Sequence, residues 1–338
     1  MKRQKSFTLR MPSPEQDSSL DKELAQPDSR PLVLAIVGPT AVGKTTAAIT
    51  LAERLSGEIV SADSRLFYRG MDIGTAKPSL AERKRVPHHL IDVADPDEIW
   101  SLAMFQDQSR QVITDIQRRG RLPILVGGTG QYLRAAVQGW EPPHVRPDPR
   151  LRQVLENWAN SIGAEGLYER LKVLDPTAAE RIDPRNLRRT VRALEVILSS
   201  GERFSDQRQH GPSRYNLLVL GLSLPRNELY ERIDARITAM IAAGLVEEVR
   251  GLLKKGYSPD LPTLSAIGYA EIVAYLRGRS TLAESITLIK RNTRSFVRRQ
   301  ANWFKPDDPN IHWFQVGPGM IEEMVRLIQI RLTIVNTK

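Results

Sequence analysis

The chain has 338 residues, of which 41% are hydrophobic, and it carries a formal net charge of +10 and no cysteine. The lack of cysteine excludes disulfides, cysteine-ligated zinc and thiol nucleophiles, and no apolar run reaches the roughly 18 residues of a membrane-spanning helix. The length allows one large or two ordinary domains, and the charge favours a polyanionic partner, although many basic proteins have none.

The first 30 residues are polar and rich in proline, so we predict that residues 1–30 form a disordered extension. They lack the apolar stretch of a secretory signal, and their mixture of acidic and basic residues is unlike an organelle transit peptide. We therefore expect a soluble cytoplasmic protein with no membrane contact.

A phosphate-binding loop follows the first predicted strand, the apolar run at residues 32–37. The octet G-P-T-A-V-G-K-T then leads into a predicted helix at 46–55, so backbone N–H groups and a helix dipole would face bound phosphate oxygens. Lys44 would add a charge, and the Thr45 hydroxyl would bind Mg²⁺. The octet consists of Gly38, Pro39, Thr40, Ala41, Val42, Gly43, Lys44 and Thr45.

Two further strands end in small or polar residues, the position at which open α/β sheets bind ligands. The strand at 58–60 leads into Ser61-Ala-Asp-Ser64, and the strand at 122–126 leads into Gly127-Gly-Thr-Gly130. A helix is predicted at 131–138.

A proline-rich linker at 141–149 then interrupts the α/β pattern, and only helical periodicity follows to about residue 201. A buried strand returns at 217–222, with helices at 226–243, 246–255, 269–276 and 281–304, a strand at 311–316 and a closing helix from about 320. We therefore predict an α/β protein: a P-loop NTPase-like parallel-sheet core with C-terminal helices (31–140 and 214–338), interrupted by a mostly helical insertion domain (141–213).

Basic side chains concentrate in two helical segments, which would suit two walls of an RNA-binding groove. One segment contains a single acid, Asp183, and the other has no acid between Glu284 and Asp307. The first cluster is Arg181, Arg185, Arg188, Arg189 and Arg192; the second is Lys290, Arg291, Arg294, Arg298, Arg299 and Lys305.

The loop alone leaves nucleotide hydrolysis, phosphoryl transfer and displacement of a diphosphate leaving group open. Most proteins with this loop have an apolar strand ending in an Mg²⁺-binding Asp, but the strand at 122–126 ends without an acid. Asp63 is the one carboxylate close after a core strand, and it would suit a base facing an acceptor.

Several motifs together give the chain a specific resemblance to the bacterial tRNA dimethylallyltransferases, also called tRNA isopentenyltransferases, of the IPP transferase family. The resemblance runs from about residue 32 to 305. The motifs are the phosphate loop, Ser61-Ala-Asp-Ser64, Tyr68-Arg-Gly-Met-Asp-Ile-Gly-Thr-Ala-Lys-Pro78, Val86-Pro-His-His-Leu-Ile-Asp92, Val126-Gly-Gly-Thr129 and Arg192-Ala-Leu-Glu195.

The resemblance implies transfer of a dimethylallyl group from its diphosphate to N6 of adenosine 37 in tRNA, with release of diphosphate. It implies Mg²⁺ as cofactor, the anticodon stem-loop as partner, and a monomer. Asp63, Thr40 and Arg236 would be catalytic, with Asp63 accepting the N6 proton and Arg236 neutralising the diphosphate. The tRNA would contact Asp63, Ser64, Arg65, Leu66, Thr129, Arg188, Arg189, Arg192, Arg298, Arg299, Gln300, Asn302 and Lys305.

The chain departs from the family pattern at two positions: Ser265 stands where an arginine is usual, and Val42 replaces a common serine. Structural interpretations also stay open, such as a helix N-cap for Asp63, a solvated helix face for Arg236 and a simple turn for Thr129. For the whole chain, the alternatives are an adenylate isopentenyltransferase, a small-molecule kinase or NTPase, and a non-catalytic RNA-binding module.

Overall fold

The computed structural model describes residues 30–128, 130–137, 140–141, 143, 145, 148–207, 209–210 and 213–336. Six parallel strands form one sheet in the spatial order β3-β2-β4-β1-β7-β8. The strands are β1 (Leu32–Val37), β2 (Gly57–Ser61), β3 (His88–His89), β4 (Leu122–Val126), β7 (Asn216–Ser223) and β8 (Ile311–Gln315).

The central strand β1 is apolar along its whole length because it is covered on both faces. All six of its residues are buried, as expected for a strand inside a parallel sheet. Leu34 pairs with Ile124 of β4 on one side and with Leu218 of β7 on the other. This confirms the predicted α/β fold, and each strand predicted from the sequence is present.

Helices pack on both sides of this sheet and continue beyond it. Before the insertion they are α1 (Lys44–Leu55), α2 (Leu80–Arg85), α3 (Leu102–Arg118) and α4 (Gly130–Val137). After β7 they are α8 (Arg226–Ala242), α9 (Leu245–Lys254), α10 (Tyr269–Leu276), α11 (Leu282–Gln300) and α12 (Met320–Asn336).

The helix α3 was not among the predicted elements, although it has a clear start signal. The Ser101 side chain accepts a hydrogen bond from the Met104 N–H at 3.2 Å, which is an N-cap. Phe105, Ile113 and Ile116 are fully buried on one face. Polar residues interleave with these positions, so the amphipathic period is easily overlooked in this segment.

The segment between α4 and β7 contains α5 (Pro149–Leu174), α6 (Pro176–Glu180) and α7 (Leu187–Ser200). Their buried residues form a hydrophobic cluster of their own, separate from that of the sheet. Two short strands flank the helices: β5 (Trp140–Glu141) pairs antiparallel with β6 (Gln209–His210). The sequence analysis predicts a linker at 141–149 and neither of these strands, since two-residue strands carry too little pattern to be recognised.

The motif at residues 70–78 is held by a single carboxylate on α9. Glu248 accepts hydrogen bonds from the backbone N–H groups of Asp72, Ile73 and Gly74 at 2.7–3.1 Å, and from the Tyr269 hydroxyl at 2.6 Å. A Cβ at Gly74 would lie 2.4 Å from the Tyr269 ring, so the close approach requires glycine.

A buried lysine holds the same motif from the other side. The Lys77 side chain is 1% exposed, and its ammonium donates to the Tyr68 carbonyl at 2.8 Å and to Asp92 Oδ1 at 2.6 Å. Burial favours neutral Asp92, but hydrogen bonds from Lys77 and Arg83 outweigh burial and hold the pKa of this carboxyl below its usual range. The long motif is therefore explained by packing and charge pairing around residues 70–78.

Glu248→Gln should lower the free energy of unfolding by about 2 kcal/mol, because an amide NH₂ would face one of the N–H donors that the carboxylate now satisfies. Denaturant unfolding measures this change. The matched control is Glu247→Gln on the same helix, which loses only an exposed pair with Arg250 and should change stability by less than about 0.5 kcal/mol. Equal effects of the two variants would contradict the role assigned to Glu248.

Candidate active site

Three loops meet at the carboxyl edge of the sheet because β4 lies between β1 and β2. The Ala62 N–H donates to the Val126 carbonyl at 2.8 Å, and the Gly127 N–H donates to the Ile36 carbonyl at 3.3 Å. The phosphate loop follows β1 directly. The segments at 38–45, 61–66 and 127–128 are therefore neighbours, as their positions after adjacent parallel strands require.

The phosphate loop presents the open N-terminus of α1. Gly43 is the N-cap residue with φ 105° and no side-chain cap, so first-turn N–H groups remain for a ligand. Val42 is fully buried, which accounts for an apolar residue at this position. The Lys44 ammonium folds back on the loop and donates to the carbonyls of Gly38 at 3.0 Å and Pro39 at 2.7 Å.

Asp63 and Arg236 both act electrostatically on Lys44. Burial lowers the pKa of Lys44 to about 8; Asp63 opposes this shift, and Arg236 adds to it. Burial also lowers the pKa of Arg236, again opposed by Asp63. Asp63 and Arg236 therefore both lie within electrostatic range of Lys44 in the phosphate loop, although Arg236 is distant in sequence on α8.

The backbone around Asp63 forms a turn and no helix follows it. Asp63 Oδ1 accepts a hydrogen bond from the Arg65 N–H at 3.0 Å, and the Leu66 N–H donates to the Asp63 carbonyl at 3.1 Å. The N-cap interpretation of Asp63 therefore does not describe this structure. The turn fixes the orientation of the carboxylate, and Oδ2 accepts no hydrogen bond from the described residues.

Tyr132 is a neighbour of this site that the sequence analysis missed. Burial raises the pKa of its phenol, and the nearby Ser64 side chain opposes the rise. Its ring centroid lies 5.0 Å from that of Phe105 and 5.8 Å from that of Phe67. One sequence feature could have pointed to Tyr132: it is an aromatic residue in the first turn of a helix that follows a strand with a glycine-rich end.

Of the remaining residues predicted beside Asp63, Arg65 is half-buried and donates weakly to the Thr263 carbonyl at 3.4 Å, and Leu66 is also half-buried. Thr129 lies outside the described residues. Ser265, which stands where the family has arginine, is exposed, and its hydroxyl donates to the Pro262 carbonyl at 2.6 Å.

Six of the thirteen side chains predicted to bind tRNA are exposed. They lie on α7, in the last turn of α11 and just after α11: Arg188, Arg189, Arg298, Arg299, Asn302 and Lys305. Lys290 and Arg294, farther back on α11, pair with Asp234 at 3.9 and 2.6 Å. The cations of α11 that are not paired with Asp234 therefore lie mainly towards the C-terminal end of the helix.

Two of the side chains predicted to bind tRNA are instead bound to other groups of the protein. Arg192 binds Glu195, a fully buried carboxylate, at 2.8 Å and donates to the Val145 carbonyl at 2.9 Å. Gln300 is 5% exposed, and both ends of its amide bind backbone groups. As the structure stands, neither side chain is free to contact RNA. The helical pattern around each residue did not reveal these internal partners.

His88 and His89 have structural partners. His88 Nδ1 is hydrogen-bonded to the Val86 carbonyl, and His89 Nε2 to Glu58 Oε2, each at 2.7 Å. Within the described ranges, no group of three or more His, Asp or Glu side chains could hold a metal, and no helix is long and apolar enough to cross a membrane.

The family model described as IPP transferase matches residues 66–307, and one described as isopentenyl transferase matches residues 31–93. The chain is 56% identical over 273 residues to the tRNA dimethylallyltransferase of Roseiflexus castenholzii, which covers 81% of this chain and 89% of that protein. The chain belongs to the IPP transferase family.

Solved structures agree with this membership. The tRNA isopentenylpyrophosphate transferase of Bacillus halodurans is 44% identical, with a TM-score of 0.67 over 90% of this chain and 97% of that one. A eukaryotic dimethylallyltransferase described as acting on tRNA is 27% identical, with a TM-score of 0.73 over 84% of this chain and 74% of that one. The resemblance inferred from the sequence motifs is confirmed.

The charge arrangement of this IPP transferase predicts how the pKa of Lys44 changes when one of its charged neighbours is removed. Asp63→Asn should lower the pKa of Lys44 below about 8, because the carboxylate that stabilises the ammonium is removed. Arg236→Gln should raise the pKa, because a repelling cation is removed. The titration can be followed by NMR of the Lys44 Nζ in lysine-labelled protein.

Asp97→Asn is the control for this titration. Asp97 is an exposed carboxylate that is not among the groups acting on Lys44, so its removal should leave the Lys44 midpoint unchanged. A Lys44 midpoint that does not move in Asp63→Asn would contradict the arrangement of charges described here.

Proposed function

We propose that this protein transfers the dimethylallyl group from dimethylallyl diphosphate to N6 of adenosine 37 in tRNA. The observation that carries the proposal is that Asp63 and Arg236 both lie within electrostatic range of Lys44, which is part of the phosphate loop. Two cations there suit a departing diphosphate, and one carboxylate suits the proton of an attacking amine. Family membership supplies the substrate class.

In the proposed reaction the adenosine N6 attacks C1 of the dimethylallyl group. The bond from C1 to the bridging oxygen breaks, and its electron pair leaves with the diphosphate. The N6 proton passes to the Asp63 carboxylate, whose Oδ1 is held by the Arg65 N–H. Lys44, Arg236 and the N–H groups of the loop compensate the charge of the leaving diphosphate. With a pKa of about 8, Lys44 is mainly protonated at neutral pH.

Mg²⁺ fits this site as a partner of the diphosphate. Thr45 is half-buried in the first turn of α1, and in phosphate sites Mg²⁺ commonly takes one or two protein oxygens while phosphate oxygens and water complete its shell. We therefore infer that the Thr45 hydroxyl would help to hold the ion, which would supply further neutralisation of the diphosphate charge. We also propose that Thr40, on the same loop, contacts the diphosphate.

The adenosine must leave the stacked anticodon loop to reach this edge of the sheet. Sequence-specific contacts to RNA favour such unpaired loops. We propose that Arg188 and Arg189 contact one side of the anticodon stem-loop, and that Arg298, Arg299 and Lys305 contact the other. We also propose that the chain works as a monomer in the cytoplasm, where tRNA is available.

The function can be tested with purified protein, Mg²⁺ and dimethylallyl diphosphate, supplied with unmodified tRNA, with AMP, or with ATP alone. Prenylated tRNA and released diphosphate are the expected products. Prenylated AMP without prenylated tRNA would select an adenylate isopentenyltransferase, and phosphate release from ATP would select a kinase or NTPase. Binding of tRNA without turnover would indicate that the protein is a non-catalytic RNA-binding module.

Asp63→Asn should reduce kcat about 10²- to 10⁴-fold, because the amide cannot accept the N6 proton. The affinity for tRNA should stay within about threefold, since the basic surface that holds the RNA is unchanged. Single-turnover kinetics and filter binding measure the two quantities. Asp97→Asn is the matched control with full activity expected, and wild-type turnover in Asp63→Asn would remove the base assignment.

Arg298→Ala should weaken tRNA binding and reduce the slope of log affinity against log salt by about 0.7–0.9, the loss of one phosphate contact. Arg118→Ala is the control: this exposed arginine ends α3 at the opposite edge of the sheet. Unchanged tRNA affinity and slope in Arg298→Ala, measured between low and moderate salt, would count against the proposed RNA surface.

A further inference from the structure

Gln300 is the buried member of a segment whose neighbours face solvent. It ends α11 and is 5% exposed, whereas Arg298 and Arg299 on the same turn are exposed. A buried amide needs partners at both its oxygen and its nitrogen, because a buried donor or acceptor left unsatisfied is destabilising.

Both ends of this amide are bound, and by two different loops of the active site. Gln300 Oε1 accepts a hydrogen bond from the Thr40 N–H at 2.9 Å, within the phosphate loop. Gln300 Nε2 donates to the Gly128 carbonyl at 3.0 Å, at the end of β4. One side chain therefore joins three segments that are far apart in the sequence.

The backbone at residue 128 is shaped around this contact. A Cβ at Gly128 would lie 2.3 Å from Gln300 Nε2, so any other residue at 128 would displace the amide. The lack of a side chain at Gly128 therefore allows the Gln300 amide to approach the backbone after β4.

We propose that Gln300 is a positioning residue that couples the RNA-binding end of α11 to the phosphate loop, so that bound RNA strengthens diphosphate binding. RNA held by Arg298 and Arg299 would fix the last turn of α11, and Gln300 would then fix the backbone of Thr40. A loop that is already ordered loses less conformational entropy when its ligand binds. The proposal rests on the proposed function, because it requires both ligands to bind.

The coupling is reciprocal and can be measured without turnover. Inorganic pyrophosphate with Mg²⁺ and an unmodified anticodon stem-loop RNA are the two probes, and calorimetry gives the pyrophosphate affinity with and without saturating RNA. In the wild type, RNA should strengthen pyrophosphate binding by about tenfold. In Gln300→Met, which keeps the volume but removes both hydrogen bonds, the ratio of the two affinities should fall to within about twofold of one.

Gln117→Met is the matched control. Its amide also binds a backbone carbonyl, that of Leu32 at 3.2 Å, but at the amino end of β1, away from the three loops. This variant should keep the wild-type ratio. If the role of Gln300 is purely structural, Gln300→Met should weaken the binding of pyrophosphate and of RNA separately. The ratio of the pyrophosphate affinities with and without RNA should then stay at its wild-type value.

If Gln300→Met does not fold, Gln300→Glu is measured instead. A carboxylate keeps an acceptor for the Thr40 N–H but cannot donate to the Gly128 carbonyl, so the ratio should again fall towards one. The proposal is overturned if the folded variant keeps the wild-type ratio, or if RNA leaves pyrophosphate affinity unchanged in the wild type. Failure of either probe to bind the wild type alone would instead contradict the proposed function.

Discussion

Parallel pairing of β1 with β4 and β7 is the constraint on which the rest of the molecule depends. Because the strands run in one direction, the loops after β1, β2 and β4 open at the same edge, and each brings a different chemical group. The phosphate loop brings backbone donors and Lys44, the loop after β2 brings Asp63, and the loop after β4 brings the Gly128 carbonyl. A β1 of charged or alternating residues could not occupy the centre of a sheet covered on both faces, and the three loops would then separate.

The helices beyond the sheet complete this edge with charge and support. Arg236 on α8 adds positive charge within electrostatic range of Lys44, and burial lowers the pKa of Lys44 to about 8, so keeping this ammonium charged has a cost in desolvation. Glu248 on α9 satisfies backbone donors at residues 72–74, and Lys77 pairs with Asp92 beneath them. The segment at residues 70–78 is thus held by buried polar contacts, and losing one partner of such a contact costs more than the contact's net contribution to stability.

The strands, the phosphate loop and Asp63 were predictable because each rests on a local pattern: an apolar run, a glycine spacing, a polar residue at a strand end. The fold class followed from the same patterns. Glu248, Gln300 and Tyr132 were not predictable in their roles, since their partners lie tens to hundreds of residues away and no period or spacing marks them. Gln300 illustrates the limit: it follows Arg298 and Arg299 and precedes Ala301 and Asn302, so the sequence suggests a surface contact, whereas the three-dimensional structure turns its amide inward. The two-residue strands β5 and β6 were missed because register between distant short segments has no local signal.

Those two strands have an evolutionary consequence. Since β5 and β6 lie side by side, the polypeptide leaves the sheet and returns to it at adjacent points, and the helices between them bury their apolar residues largely against one another. Such an attachment allows the intervening module to be lengthened, shortened or exchanged without disturbing the order of the central strands. Selection can then alter the surface that this module presents while leaving the candidate active site intact.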